Sequence, residues 1–384
     1  MRISLFSAAL VAALVGYGST IALLLAAAQA VGATPEQTGS WIFAICLAKA
    51  AGSAFLSFRS RMPIVLAWST PGAALVAASQ GLSMAEAVAA FVFAGLLIAL
   101  TGALRPLGRM IAALPDAVAA AMLAGVLLPF CLAVPGHAAT APALILPVIA
   151  VFLGVRLFSP AQAVLAALAT GLILSFALPG AAALPDLTFT LPRLTFIAPD
   201  FDLGALIGLG LPLYLVTMAS QNLPGFAVLR AAGYTPPVRQ ALTVTGGLSA
   251  LTALFGAHTI SMAAITAAIC LGDDVHPDRA QRWKVGLVYA GIWVALGLFG
   301  PVILGLIGAM PAALVATIAG LALIAPFLGA ASAAFAALDT RFAAGTTLIV
   351  TASGVAVFGI GAAFWGLIAG LIVHALDKAR RRPV

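Results

Sequence analysis

Charge is scarce in this sequence. Lys, Arg, Asp and Glu make up 8% of the 384 residues, 18 basic and 11 acidic, where ordinary soluble domains carry about 25%. A soluble fold clothes its surface with polar groups, and this chain has too few, which excludes a soluble enzyme and a disordered protein. Cysteine is also rare. Cys46, Cys131 and Cys270 sit in apolar runs without metal-ligand spacing, which excludes a disulfide framework and leaves them as small apolar packing residues. No Asp or Glu lies firmly inside an expected helix. Asp116 follows Pro115 at a helix start, where an acid complements the dipole. There is no H-E-x-x-H, no G-x-S-x-G and no Walker sequence, and Ser353-Gly354 has no histidine near it in sequence. An intramembrane enzyme therefore has no catalytic pair to rest on, and no cofactor is implied.

Hydrophobic residues, by contrast, make up 63% of the chain. At about 20 residues per spanning helix, they fill roughly 12–14 membrane crossings with little left over. Turn residues and charges cut the sequence into fourteen apolar segments, near 5–32, 39–57, 71–80, 84–103, 114–134, 141–157, 160–179, 203–232, 237–255, 262–271, 280–299, 311–337, 343–358 and 361–377. The first run is too long for a cleaved signal core and is read as a retained helix, although Ala28-Gln29-Ala30 resembles a cleavage site. With a cytoplasmic N-terminus and alternating sides, 16 of the 18 cations fall on the cytoplasmic face, as the positive-inside rule requires. The net charge of +7 is then a topology signal, and the basic run Lys378–Arg382 is an interfacial anchor, not a nucleic-acid arm.

The chain repeats itself. Gln29–Pro35 is similar to Arg230–Pro236, Ala94-Gly95 with its downstream Gly102 and Pro106 to Ala290-Gly291 with Gly297 and Pro301, and Leu114-Pro115 to Met310-Pro311. Seven helices per unit is an odd number, so the two units must be inverted. That arrangement points to an alternating-access transporter with a midplane site. The expected architecture is an all-α polytopic membrane protein of 14 transmembrane segments in two inverted 7-segment repeats. Residues 1–180 form the first repeat, the proline-rich segment 181–202 is an extracellular linker, and 203–384 form the second.

Segments 3 and 10 are too short to span alone, and each follows a polar, extended-looking stretch. Broken helices at membrane depth are tolerated where they line a cavity or are buried in protein. Their N-termini, at Pro71-Gly72 and Met262-Ala263, present amides and positive dipole ends to an anion. Ser69, Thr70, Thr259 and Ser261 add hydroxyl donors or caps there. Gln221 and Asn222 bond either substrate or a neighbouring helix. Tyr17, with Gly18, Ser19 and Thr20, either faces an aromatic ligand or serves helix packing. Lys49 is an intramembrane charge, read either as an attractor for an anion or a proton-linked group, or as a lysine snorkelling to an interface. His258 is either a proton carrier or an interfacial histidine.

At these residues a family resemblance emerges. Arg61-Met62-Pro63 with Ala67–Ala74, Thr217–Gly225, Ala263–Cys270 and Gly361–Leu367 resemble motifs of the benzoate:proton symporter (BenE) family, over essentially the whole chain. The resemblance implies the fold of bacterial uracil:proton symporters. A core domain is then expected from 1–104 and 203–300, a gate domain from 105–180 and 301–384, and short strands before half-helices 3 and 10. In the nucleobase relatives, acidic residues on helices 8 and 10 bind substrate and support proton coupling. Here Gln221 takes the first position, while His258, Thr259 and Ser261 occupy the second region. That departure favours an anionic ligand, which a carboxylate would repel. The resemblance thus implies proton-coupled transport of benzoate or a similar aromatic carboxylate in an inner membrane. Homodimerisation would run through the gate domain, and an inorganic-anion exchanger on the same fold is the alternative.

Overall fold

The computed structural model describes residues 3–18, 20–104, 115–177, 190–273, 275–357 and 360–380. Ser19 and several of the expected cytoplasmic cations (Arg2, Arg105, Arg109, Arg381 and Arg382) lie outside them. The first half contains α1 (Ile3–Gly18), α2 (Ile21–Ala30), α3 (Pro35–Ser60), β1 (Leu66–Trp68), α4 (Thr70–Ala77), α5 (Met84–Ala103), α6 (Asp116–Thr140), α7 (Pro142–Phe158) and α8 (Pro160–Ala177). The second contains α9 (Leu203–Ala231), α10 (Val238–Ala253), β2 (Ile260–Met262), α11 (Ile265–Ile269), α12 (Lys284–Leu298), α13 (Gly300–Gly308), α14 (Ala312–Ala334), α15 (Arg341–Ala352) and α16 (Ala362–Arg380).

Among the described residues, seven helices are long and apolar enough to cross a membrane: Ser4–Ala30, α3, α5, α6, α9, α14 and α16. The pair Arg279–Leu298 and Gly300–Gly308, bent by 55°, makes an eighth if it counts as one span. The other expected segments are shorter helices. Val238–Ala253 has 16 residues and Arg341–Ala352 has 12. At 1.5 Å per residue these fall short of a hydrocarbon layer about 30 Å thick.

Local chemistry sets the helix starts. Thr34 and Gln37 form a capping box ahead of Pro35 at the start of α3, and Ser83 and Glu86 do the same for α5. Three expectations are corrected. The first span is interrupted, α1 ending at Gly18 and α2 starting at Ile21. A Cβ on Gly18 would stand 2.2 Å from Leu165, so glycine permits the close approach of α8 at the interruption. The helix of segment 10 spans Ile265–Ile269, and Met262 closes strand β2 instead of opening a helix. In segment 3 the helix begins at Thr70, one residue before Pro71.

The two strands are antiparallel, with Leu66 opposite Met262, Ala67 opposite Ser261 and Trp68 opposite Ile260. They are short and buried, so every amide needs an internal partner. Ser53 of α3 accepts from Leu66 N (2.9 Å), and Ser249 of α10 accepts from Ile260 N (2.9 Å). Around this centre α3 packs on α12, α5 on α10 and α6 on α14, with α7 against α8 and α15 against α16. Glycines allow the closest approach. A Cβ on Gly246 would lie 2.2 Å from Ala99 N, and one on Gly95 would lie 2.5 Å from Ala250 N.

The outer surface is apolar. Leu157, Phe158, Ile173, Phe342, Ile349 and Leu376 are all largely exposed, a distribution suited to lipid and not to water. Most described cations lie at helix ends. Arg61 stacks on Phe58 and Trp283, Arg279 on Tyr234, and Arg239 donates to Gly102 O and Ala103 O.

Candidate functional site

The strand pair and the two short helices meet the interruption in the first span and the middle of α9. Helix α9 widens into π-helix at Leu206–Gly210 and Met218–Asn222. Each widened stretch ends two residues before a proline, Pro212 or Pro224. Proline lacks an N–H and crowds the carbonyl four residues back, and a π turn absorbs both defects. Such turns are frequent at functional sites. A Cβ on Gly225 would stand 2.5 Å from Met262 Cβ and 2.9 Å from Ala263 O, so only glycine lets α9 touch the end of β2.

Hydroxyls tie these pieces together. Thr217 of α9 donates to Ser69 Oγ (2.9 Å) and shares a hydrogen bond with Thr259 Oγ1 (2.9 Å). Ser69 N donates to Thr259 O (2.9 Å), while Ser69 Oγ caps α4 by accepting from Gly72 N (3.1 Å). Thr70 pairs with Thr20 across the first span's interruption (3.0 Å). Ser261 donates to Ala67 O at 3.5 Å. The N-terminus of α4 is thus already capped and Pro71 has no N–H, whereas α11 has no side-chain cap.

The two amides of the π turn behave differently. Asn222 is fully buried, and its Oδ1 accepts from Met262 N (3.0 Å) while Nδ2 contacts Met218 Sδ (3.4 Å). It fastens β2 to α9, which is the neighbour-bonding role. Gln221 is half-buried, and its side chain has no hydrogen-bond partner among the described residues.

His258 is not interfacial. It is fully buried, its Nδ1 accepts from Trp41 Nε1 (3.0 Å), and Nε2 lies 3.1 Å from Ser69 O. An indole N–H only donates, so Nδ1 must accept and Nε2 carries the proton. Lys49 does not snorkel, and no carbonyl accepts from it among the described residues. Its Nζ is 2.9 Å from the ring centroid of Trp293 and 4.3 Å from that of Trp68. Tyr17 stands against the same two indoles, at 5.6 Å from Trp68 and 5.9 Å from Trp293. Tyr289 joins the box, 5.9 Å from Trp293, and donates to Leu66 O (2.9 Å). The Tyr17 hydroxyl is buried without a partner among the described residues. Desolvated indole faces are worth about 2 kcal/mol or more each to a cation, against several kcal/mol for burying the ion.

Trp41, Trp68, Tyr289 and Trp293 were not singled out as site residues from the sequence. A signal exists for part of this set. Tyr289 and Trp293 are four apart and share a face of α12, while Leu66 and Trp68 alternate to the same face of β1.

A separate crevice opens between the C-terminal end of α4 and the start of α9 on one side and α6, α15 and α16 on the other. It is lined by Ser79, Gln80, Pro129, Gly208, Thr351 and Ala362, among others.

Broken spans meeting at buried polar groups define a class, the polytopic transporter. The chain superposes on the transmembrane domain of a cyanobacterium bicarbonate transporter, BicA, with a TM-score of 0.60 at 16% identity, covering 98% of each chain. It also superposes on SLC26A9, with a TM-score of 0.60 at 12% identity, covering 97% of this chain and 65% of that one. The family model for benzoate membrane transport proteins matches residues 1–376. The chain is 39% identical over 374 residues to inner membrane protein YdcO of Escherichia coli (strain K12), covering 96% of this chain and 94% of that protein. It is 34% identical over 368 residues to a benzoate membrane transport protein of Acinetobacter baylyi, covering 96% and 93%. The chain belongs to the BenE benzoate membrane transport family. It is a multi-pass membrane transporter and not an enzyme.

Proposed function

We propose that this protein is a secondary active transporter that takes up benzoate or a similar aromatic carboxylate together with protons, by alternating access. The observation that carries the substrate class is the full-length relationship to a benzoate membrane transport protein. The absence of any carboxylate at the junction of α1, α4, α9 and β2 among the described residues supports an anionic ligand. The substrate lies at that junction, with Gln221 as its hydrogen-bonding amide, Tyr17 and the neighbouring rings against its own ring, and the uncapped start of α11 beside it. The membrane is the inner membrane, with both termini cytoplasmic.

The architecture behind this reading is fourteen segments in two inverted sets of seven, with core and gate domains as expected from the sequence. Packing supports it in pairs. Under an exchange of each segment with the one seven places on, α3 against α12 becomes α10 against α5, and α7 against α8 becomes α15 against α16. Contacts between β1 and β2 and between α6 and α14 map onto themselves. Ser53 and Ser249, 196 residues apart, each take a strand amide. The crevice between α4 and α9 on the core side and α6, α15 and α16 on the gate side is where relative movement would open a path.

The deciding experiment uses purified protein in liposomes with labelled benzoate, with and without an inward proton gradient. Gradient-stimulated uptake is expected, and equal uptake in both conditions sinks the symport reading. The second reading, an inorganic-anion exchanger, is favoured by the buried Lys49, whose charge suits any small anion. Competition by chloride and bicarbonate, but not by salicylate, selects it.

A further inference from the structure

Lys49 is a buried amine that no carboxylate neutralises among the described residues. No carboxylate meets it, since the ion pair found among the described residues joins Arg282 and Asp273 at the helix ends. Its Nζ rests on the indole faces of Trp68 and Trp293, and the side chain is fully buried. The Tyr17 hydroxyl is a second buried donor without an acceptor, on a ring packed against the same two indoles. Trp293 Nε1 is likewise buried without a partner among the described residues, so three donors, and no carboxylate or carbonyl bonded to them, stand at one aromatic box.

The box adjoins both short helices. Trp68 immediately precedes Ser69, the cap of α4. A Cβ at Gly16 would stand 3.7 Å from Trp293 and 3.7 Å from Thr266, in the first turn of α11. A cation, a phenolic donor and stacked rings together complement a carboxylate carried on an aromatic ring. The oxygens accept from the ammonium and the hydroxyl, and the ring packs edge-to-face or offset on the indoles.

We propose that Lys49 supplies the counter-charge for the anion this transporter carries, with the Tyr17 hydroxyl as second donor and Trp68 and Trp293 as walls for its ring. The identity of that anion rests on the aromatic-carboxylate reading above. Lys49 acts as the ammonium that pairs with the bound anion, and the indoles hold its Nζ while the site is empty. Arrival of a carboxylate draws the ammonium off the indole faces, which tryptophan emission reports.

The test titrates the full-length protein in nanodiscs with benzoate, neutral benzamide, chloride and bicarbonate, following tryptophan fluorescence. Wild type is expected to prefer benzoate over benzamide at least 10-fold. In Lys49→Met, benzoate affinity falls at least 10-fold while benzamide affinity is unchanged, so the preference disappears; Lys49→Arg keeps it. A folded Lys49→Met protein with the wild-type preference overturns the assignment and leaves the transport reading intact. Binding of chloride or bicarbonate but not benzoate, abolished by Lys49→Met, faults the aromatic-carboxylate reading and leaves the counter-charge standing. If Lys49→Met yields no folded protein, Tyr17→Phe decides, because it deletes only an unpartnered hydroxyl. Benzoate affinity weakened about 5-fold supports the assignment, and unchanged affinity overturns it.

Discussion

At the residue scale, the polar groups of the bundle divide into those that hold the centre together and those left open. Asn222 and Gln221 are neighbours of the same chemistry, yet Asn222 is bonded to Met262 N and Gln221 to nothing described. Replacing Asn222 by Ala strands a buried N–H, which costs about 1–3 kcal/mol, and thermal melting in detergent should show it as a lowered midpoint. Gln221→Ala should leave the midpoint unchanged and reduce benzoate uptake in liposomes; full uptake would remove Gln221 from the site. Trp41→Phe deprives His258 Nδ1 of its donor and should also lower the midpoint, by a penalty of about 1–3 kcal/mol. Both amides were legible in the sequence as costly groups in an apolar helix. Their separate roles were not, because a one-residue step on a helix rotates the side chain by about 100° and the partner, Met262, is 40 residues away.

At the element scale, the centre depends on close backbone approach. Helices α5 and α10 meet at Gly95 and Gly246, where an added Cβ would fall within 2.5 Å of the opposing backbone. Gly246→Ala should therefore destabilise the protein by roughly 1–3 kcal/mol through overpacking. The adjacent Gly247 has open space, and Gly247→Ala should be neutral or stabilising by about 0.5–1 kcal/mol through helix propensity. Melting curves of the two variants, run side by side, separate packing from propensity. The brevity of segments 3 and 10 was visible in sequence from Pro71 and the polar stretches preceding them. The true start of α11 was not. Ile260 and Ser261 read as extended, but Met262 read as the first helical residue, and pairing with Leu66, almost 200 residues distant, makes it the end of the strand.

At the scale of the whole molecule, the crevice separates elements expected in the core from elements expected in the gate. Cysteines placed at Ser79 and Ala356, both on its lining, in a variant with Cys46, Cys131 and Cys270 replaced by Ala, should link through a short bifunctional maleimide. Uptake should then stop, while either single cysteine treated alike stays active. Undiminished transport by the linked protein would show that this crevice does not move during the cycle.

Composition and periodicity by themselves determined that this chain lives in a membrane, that its cations mark helix ends, and that two broken spans lie among the apolar helices. Those properties are local sums over a window of about 20 residues, so the sequence contains them in full. Only the tertiary structure decided which polar groups are engaged and which stand open. It set His258 between Trp41 and Ser69 and capped α4 with Ser69 itself. It also brought Lys49 to Trp68 and Trp293, residues 19 and 244 positions further along the chain. The physical reason is that a buried donor or acceptor is satisfied by whatever the fold carries to within about 3 Å, and no spacing along the sequence specifies that distance.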